Sequence, residues 1–271
     1  MVVAKFEFSL GAFDLCRLNS VHPCVDSYPA PQLPVDFADV VDIKGDRFRD
    51  TFTRMCLYLA GRHIYDVETP AVSMVVVGTE YGNLEAMLRL QRQAHAADKT
   101  ISAQQFPHAT TSSASTFINI AKTLTGGNVT LNAGCNTPVT ALLHAMLHLQ
   151  AHAHGRSHVF VGDAYCEESV SDVCKRTHST CRITPGVCYA SLASGTVFQA
   201  ELAFGDRAFD ICIGGASHLW GVQQTEEHNG AFALNWLLSM ARDLSIGETV
   251  SLGTQAAGRR AAVRITRQQS A

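Results

Sequence analysis

Residues 128–144 read NVTLNAGCNTPVTALLH and contain a strand, a tight turn and the start of a helix. The run 129–131 is short and β-like, the small residues after it carry Cys135, and an apolar helix is predicted over 138–154. A cysteine at such an elbow meets unpaired backbone N–H groups and the positive end of the helix dipole. These conditions favour a thiolate, so the stretch predicts a nucleophilic site of the kind used in acyl transfer.

Strands and helices alternate around this elbow. Continuous apolar runs predict buried strands at 72–77 and 157–163, and helices are predicted at 48–58, 83–97 and 112–124. This alternation is typical of a parallel sheet that is covered on both faces.

The rest of the chain has a different pattern. Residues 187–204 predict a hairpin that turns at Gly195, and a short strand, a helix and two closing strands are predicted at 209–213, 230–243, 250–252 and 262–265. The first seventy residues predict irregular structure, with a proline-rich loop at 20–36. No linker divides the chain, so we expect one compact unit in two halves, 1–170 and 171–271.

The composition points to a protein with a permanent partner. Only 17% of the 271 residues are charged, against about 25% in an average globular chain. The net charge of −3 gives no reason to expect nucleic acid or an anionic membrane as a partner. No apolar run is long enough to span a bilayer. A basic signal segment and C-x-x-C pairs are both missing, and the nine cysteines predict reduced thiols in a cytoplasmic protein.

Four segments, in this order, carry a resemblance to one family: VVVGTEYGNLEAML at 75–88, the run from FPHATTSS to NAGC at 106–135, SHVFVGDAYCEE at 157–168 and VSLGTQAAGRRAAVRITR at 250–267. They resemble the β-ketoacyl synthases of the thiolase fold, well over 70–170 and in outline over 187–271. The resemblance implies an α/β fold layered α/β/α/β/α, here with a shortened C-terminal half. It places Cys135 at the position of the family's nucleophile.

The departures from the family concern its catalytic histidines. Ketosynthases use two histidines from the C-terminal half, the first in a His-Gly-Thr turn. Here the corresponding strand is followed by Ala216, Ser217 and His218, and the stretch 236–249 contains neither histidine nor lysine. The family's gating loop is replaced by SLGTQAAGRR. The chain therefore resembles chain length factors, the inactive partners of ketosynthases, and in particular the abbreviated ones of aryl polyene biosynthesis.

This resemblance implies a heterodimer with an active ketosynthase, contact with an acyl carrier protein through the complex, and no cofactor. Side chains at the dimer seam of the family set product length. The bulky residues of this chain in that region are Phe106, Phe117 and Ile118.

Two other functions stay open. In the first, Cys135 is an active nucleophile of a stand-alone acyltransferase or condensing enzyme. It then needs a base, because a free thiol is only a few per cent thiolate at neutral pH. His108, His218 and His228 are candidates, and none is in a recognisable family position. In the second, the chain is a degenerate homodimeric scaffold without a substrate.

We interpret most of the remaining patterns of polar residues and cysteines as structural features rather than as functional sites. His144, His148 and His152 lie on one helix face, but no third ligand follows, and the four cysteines at 166, 174, 181 and 188 do not match zinc spacings. The sequence therefore predicts no metal site. Glu167 and Glu168 predict a solvated turn. A solvated edge strand, or a docking patch for an acidic carrier protein, is predicted for four arginines at 259, 260, 264 and 267. The turn GTEYG lacks the pattern of a nucleotide-binding loop.

Overall fold

The strands that the computed structural model describes form one eight-stranded sheet. The structure describes residues 2–19, 32–42, 44, 46–65, 67, 69–96, 101, 103–177, 182–213, 218–220 and 227–269. The strands are β1 (Val2–Arg17), β2 (Met74–Gly78), β3 (Asn128–Leu131), β4 (Arg156–Asp163), β5 (Gly186–Phe204), β6 (His218–Trp220), β7 (Thr249–Ala256) and β8 (Arg259–Arg267). The α-helices are α1 (Phe37–Val40), α2 (Thr51–His63), α3 (Leu84–His95), α4 (Ser113–Lys122), α5 (Thr137–Ala151), α6 (Glu167–Thr177), α7 (Asp210–Ile213) and α8 (Gly230–Asp243).

The long strand β5 joins two half-sheets. Its first half, 186–193, pairs antiparallel with β4, which continues through the parallel strands β2 and β3. Its second half, 198–204, pairs antiparallel with β8, which continues through β7 to β6. Strand β1 runs antiparallel along both halves of β5, with Arg17 opposite Gly186 and Val2 opposite Phe204. Both half-sheets therefore share the ladder between β1 and β5.

The helices lie in layers on these half-sheets. Buried side chains of α5 and α8 share one apolar cluster with β2, β4, β5, β7 and β8, so these two helices form the central layer. Helices α2 and α4 cover the opposite face of β2 and β4, while α7 packs on the outer face of β5 and β8. The α/β/α/β/α layering is thus confirmed, and among the described residues the outer layer of the second half consists of one short helix.

Three sequence-based expectations are wrong. Residues 187–204 form one continuous strand rather than a hairpin. Gly195 was expected at a turn, but it lies within the strand, where the backbone passes close to β1. A Cβ atom there would overlap the Ser9 side chain. The N-terminal region, expected to be irregular, supplies the partner strand β1. Residues 210–213 form α7 instead of a strand.

The arginine-rich strand β8 is also not an edge strand, because it lies between β5 and β7. The helix predicted at 230–243 matches α8, and the other predicted helices and strands are present with shifted ends. Most of the predicted proline-rich loop, 20–31, falls outside the described residues. Within the part of the chain that the structure describes, no helix has the length and hydropathy of a membrane span.

Candidate functional site

Three polar side chains from separate parts of the chain meet beyond the C-terminal ends of the parallel strands β2 and β3. Glu80 follows β2, Cys135 lies in the 3-10 turn before α5, and His228 lies two residues before α8. One ligand atom from each, a carboxylate oxygen, the thiol sulfur and an imidazole nitrogen, lie within 4.8 Å of one another. Since β2 and β3 are parallel and in register, the turns that follow them open on the same side.

The position of Glu80 is fixed by a buried carboxylate at the end of β4. One oxygen of Asp163 accepts hydrogen bonds from the Thr79 hydroxyl at 2.6 Å and from the backbone N–H groups of Glu80 and Tyr81 at 2.9 and 2.8 Å. Burial raises the pKa of Asp163 to about 7. Asp163 therefore ties the turn after β2 to β4.

The Glu80 carboxylate is oriented by a cation from α6. Arg176 lies 2.9 Å from Glu80 Oε1 and donates to Asp172 at 2.9 Å, and it also contacts the Tyr81 hydroxyl. The solvated turn expected at Glu167 and Glu168 is instead the first turn of this helix.

His228 is held through its backbone. Its N–H donates to the Arg182 carbonyl at 2.9 Å, and the Tyr165 hydroxyl donates to its carbonyl. The next residue, Asn229, caps α8 by accepting from the Ala231 N–H, and its amide donates to three carbonyls, those of residues 163, 184 and 186. The His228 imidazole thereby gains a fixed position next to Glu80, with 3.6 Å between Nε2 and Glu80 Oε2.

The electrostatics at these side chains differ from the sequence-based expectation. Burial and the Glu80 carboxylate raise the pKa of the Cys135 thiol, although Arg176 acts in the opposite direction. Burial also lowers the pKa of His228, against the attraction of Glu80. The helix dipole was expected to favour a thiolate, but desolvation outweighs it here. At neutral pH the resting pair is therefore a neutral thiol and a neutral imidazole.

A small cavity of about 90 Å³ lies beside Cys135, between the N-termini of α5 and α8. Small and apolar residues, among them Pro138, Val161 and Ala233, line much of it. Cys135 also lines a wider groove of about 1380 Å³ whose border includes Arg259 and Arg260. Cys135 is accessible to a ligand from this groove, although surrounding protein atoms desolvate part of its side chain.

The structure describes the side chains of two candidate bases, His108 and His228, and of these two only His228 lies near Cys135. His108 instead stacks on Phe117 with 4.7 Å between ring centres, and burial together with Arg49 lowers its pKa. The side chain of His218 lies outside what the structure describes.

The other candidates for metal ligands are engaged in packing. His148 Nε2 is 2.9 Å from the Val72 carbonyl oxygen, and its ring packs on His152. Cys188 is buried in β5, and Cys181 falls outside the described residues. Among the described residues, the group around Cys135 is the one set of three or more ligand-type side chains close enough to share an ion.

The bulky residues expected at the dimer seam differ in exposure. Phe106 is 62% exposed, whereas Ile118 is fully buried in the core formed by α2, α4 and the first half-sheet. Phe117 is half-buried and packs on His108 and Arg49. Only Phe106 is largely free to contact another molecule.

The arginines of β8 divide into two pairs. Arg264 pairs with the buried Glu201, which also binds Lys5. Arg267 donates to the carbonyls of Arg242 and Leu244 at the C-terminal end of α8. Arg259 and Arg260 instead line the groove. Arg264 and Arg267 are thus engaged within the chain, and a docking patch for an acidic carrier protein stays a prediction, best placed at Arg259 and Arg260.

Comparison with known proteins identifies the fold. No family model and no curated protein matches the chain. Among solved structures, "The ishigamide ketosynthase/chain length factor" is similar with a TM-score of 0.70 and 14% identity, over 88% of this chain and 86% of that chain. The ketosynthase ApeO in complex with its chain length factor ApeC, from Xenorhabdus doucetiae, gives a TM-score of 0.60 and 11% identity over 96% and 99%. A β-ketoacyl synthase from Burkholderia phymatum STM815 gives 0.62 and 11% over 90% and 87%. The chain therefore has the thiolase-like fold shared by ketosynthases and chain length factors.

Proposed function

We propose that the chain is a non-catalytic ketosynthase-like subunit, a chain length factor that pairs with an active β-ketoacyl synthase. The observation that carries this proposal is the state of the elbow in a ketosynthase fold. The Cys135 thiol has a raised pKa, and the histidine that the described residues place beside it is His228, whose own pKa is lowered. The family's chemistry uses two histidines, so this elbow is a weak site for decarboxylating condensation.

The surface supports pairing with a second subunit. Strand β3 ends the sheet, so one of its backbone edges is available for pairing, and an unpaired edge is normally protected or covered. Ile120 on α4 and Leu147 on α5 are 69% and 46% exposed. Two of the similar structures are described as a ketosynthase with its chain length factor. We infer that β3, α4 and the exposed side of α5 form the heterodimer interface.

The substrate would reach the complex on an acyl carrier protein. A further similar structure is a type II carrier protein in complex with its ketosynthase, with a TM-score of 0.67 and 9% identity over 87% and 89%. Arg259 and Arg260 at the groove supply positive charge that suits an acidic carrier protein. The similarity to the ApeO–ApeC complex favours an aryl polyene as the product class.

The test is reconstitution with an active β-ketoacyl synthase from the same organism. The two proteins are co-expressed, the complex is isolated by size exclusion, and condensation on carrier-protein substrates is measured. Cys135→Ala should leave the rate within a few-fold of the unmodified complex, because the attacking thiol belongs to the partner. Replacement of the partner's nucleophilic cysteine is the matched control and should abolish turnover. Loss of turnover in the Cys135→Ala complex would contradict the proposal.

A Cys-dependent acyltransferase is the second candidate, favoured by the distance of at most 4.8 Å between the thiol and the His228 imidazole. The imidazole would accept the thiol proton as the sulfur attacks a thioester carbonyl, and the departing thiolate would take up that proton. Mass spectrometry after incubation with an acyl thioester tests it. An acyl group on Cys135 that disappears in His228→Gln supports this candidate, and an unmodified Cys135 peptide contradicts it.

A further inference from the structure

We propose that Glu80, Cys135 and His228 form a binding site for Zn²⁺, held by one carboxylate oxygen, one thiolate and one imidazole nitrogen. The sequence alone predicts no metal site, because these residues are far apart in the chain and follow no metal-binding spacing. The proposal does not depend on the chain length factor role.

The geometry is close to that of a tetrahedral site. Zinc binds sulfur at about 2.3 Å and imidazole nitrogen at about 2.0 Å, which places neighbouring ligand atoms roughly 3.5 Å apart. The three atoms here lie within 4.8 Å of one another, and Glu80 Oε2 is 3.6 Å from His228 Nε2. A change of about an ångström, which rotation of the exposed Cys135 side chain can supply, brings the sulfur into range.

The donor set selects the metal. Thiolate and imidazole are ligands of zinc and of other borderline metals, whereas Mg²⁺ and Ca²⁺ prefer oxygen. Three protein ligands with a fourth open position are typical of reactive zinc sites. The groove beside Cys135 gives water or a small ligand access to that fourth position.

Neighbouring groups hold two of the ligands in place. Arg176 binds Glu80 Oε1 at 2.9 Å, which leaves Oε2 to face His228. The separation of 3.6 Å between Oε2 and Nε2 is too long for a hydrogen bond. Nδ1 of His228 has no hydrogen-bond partner among the described residues. Among the described residues, neither imidazole nitrogen is therefore committed to a hydrogen bond with another residue that a metal ion would have to break.

The local charge also suits a divalent cation. A thiolate at Cys135 together with Glu80 and Asp172 would carry three negative charges, and Arg176 offsets one of them. The remaining two match Zn²⁺. Binding releases the thiol proton to solvent, and coordination draws charge from the sulfur, which makes it a weaker nucleophile toward a thioester than a free thiolate.

The experiment uses the full-length chain, or its complex with the ketosynthase, after treatment with a chelator. Zn²⁺ is titrated in competition with a metallochromic indicator, and Co²⁺ serves as a spectroscopic probe. We expect one ion per chain and a thiolate-to-cobalt charge-transfer band that is lost in Cys135→Ser. Affinity should fall at least about tenfold in His228→Gln, and by about 10–100-fold in the positioning variant Arg176→Gln. Cys166→Ser and His152→Gln are matched controls, since these residues lie outside the site, and both should bind as the unmodified chain does.

A second measurement on the unmodified chain covers the case in which a variant fails to fold. Peptide mass spectrometry follows alkylation of Cys135 and Cys166 by iodoacetamide, with and without Zn²⁺. Protection of Cys135 alone supports the site. Equal alkylation of Cys135 in both conditions, the absence of the cobalt–thiolate band, or equal zinc affinity in Cys135→Ser would overturn the proposal.

Discussion

Asp163 connects the core of the molecule to its candidate site through one side-chain oxygen. That oxygen accepts three hydrogen bonds from the turn that carries Glu80. Asp163 ends β4 and lies between the turn after β2 and the loop before α8. In that loop the side-chain amide of Asn229 donates a hydrogen bond to the backbone carbonyl of Asp163. A change at this residue should therefore affect stability and the site together.

The stability of the protein should depend on pH through Asp163. Burial raises its pKa from 3.8 to about 7, so in this range the folded state retains a proton that the unfolded state releases. Its stabilising contribution is complete below 3.8 and is lost as the pH rises through about 7. Asp163→Asn keeps an acceptor oxygen and removes the titration. Urea denaturation across this range should show the unmodified chain losing stability relative to the variant, and parallel curves would contradict the prediction.

His158 should act with the opposite sign. It is buried in β4 with Nδ1 at 3.0 Å from the Tyr189 hydroxyl, and burial lowers its pKa from 6.5 to about 4. Its contribution is present above 6.5 and is lost as the pH falls through about 4. His158→Gln should therefore reduce the loss of stability on acidification in the same denaturation experiment. A steeper acid loss in this variant would show that His158 is not neutral in the fold.

At the scale of single elements, β3 offers the sharpest test of the heterodimer. Its carbonyls at 127 and 131 accept hydrogen bonds from β2, so by the alternation of a parallel strand the Thr130 N–H points to the free edge. Thr130→Pro removes that donor and leaves the pairing with β2 intact. We expect loss of the complex in size-exclusion chromatography with the co-expressed ketosynthase.

Thr130→Val is the matched control, because the hydroxyl of Thr130 also contacts Ser115. This variant loses the side-chain hydrogen bond and keeps the backbone donor, so it should still form the complex. Equal complex formation by the proline variant would mean that the β3 edge is not the interface.

The loop before α4 should influence product length through Phe106. This side chain is 62% exposed, whereas Phe117 packs on His108 and Arg49 within the chain. In the reconstituted complex, Phe106→Ala should lengthen the product by about two or three carbons, and Phe117→Ala should instead cost up to about 3–5 kcal/mol of stability. Mass spectrometry of the products and thermal melting of each complex separate the two effects. Unchanged product length with Phe106→Ala would remove this residue from the tunnel.

Helix α8 and strand β1 show which secondary-structure elements can be predicted from the sequence pattern. Helix α8 was predicted with its bounds because an apolar helical pattern follows Asn229, which caps it. Strand β1 was missed although Ala4, Phe6, Phe8 and Leu10 alternate as in a half-buried strand. The signal was present and was obscured by the proline-rich loop that follows.

Only part of the candidate site could be predicted from the sequence. Cys135 was found from the strand, turn and helix around it, which are local features. Glu80 and His228 were not assigned together, because their proximity to Cys135 depends on the parallel pairing of β2 and β3 and on the loop before α8. The raised pKa of Cys135 likewise comes from burial and from Glu80, which no spacing reveals.

At the scale of the whole molecule, the two halves should not fold alone. Strand β1 belongs to 1–170, but its partner β5 belongs to 171–271 and joins both half-sheets. Circular dichroism should show that neither fragment unfolds cooperatively in urea, while the full chain unfolds in one transition. Co-expression of both fragments is the control and should restore the transition. A cooperative transition in either fragment would define it as an independent domain.

The ladder between β1 and β5 also has a consequence for biosynthesis. Strand β1 is synthesised well before β5 and carries Phe6 and Phe8, which become buried against residues near 200. At about 5–20 residues per second, translation must continue for on the order of ten seconds or more before that partner exists. During this interval an apolar strand is without its ladder and open to wrong contacts. Because β1 gains its ladder only once β5 has been made, we expect the nascent chain to need protection from wrong contacts for longer than its length alone would require.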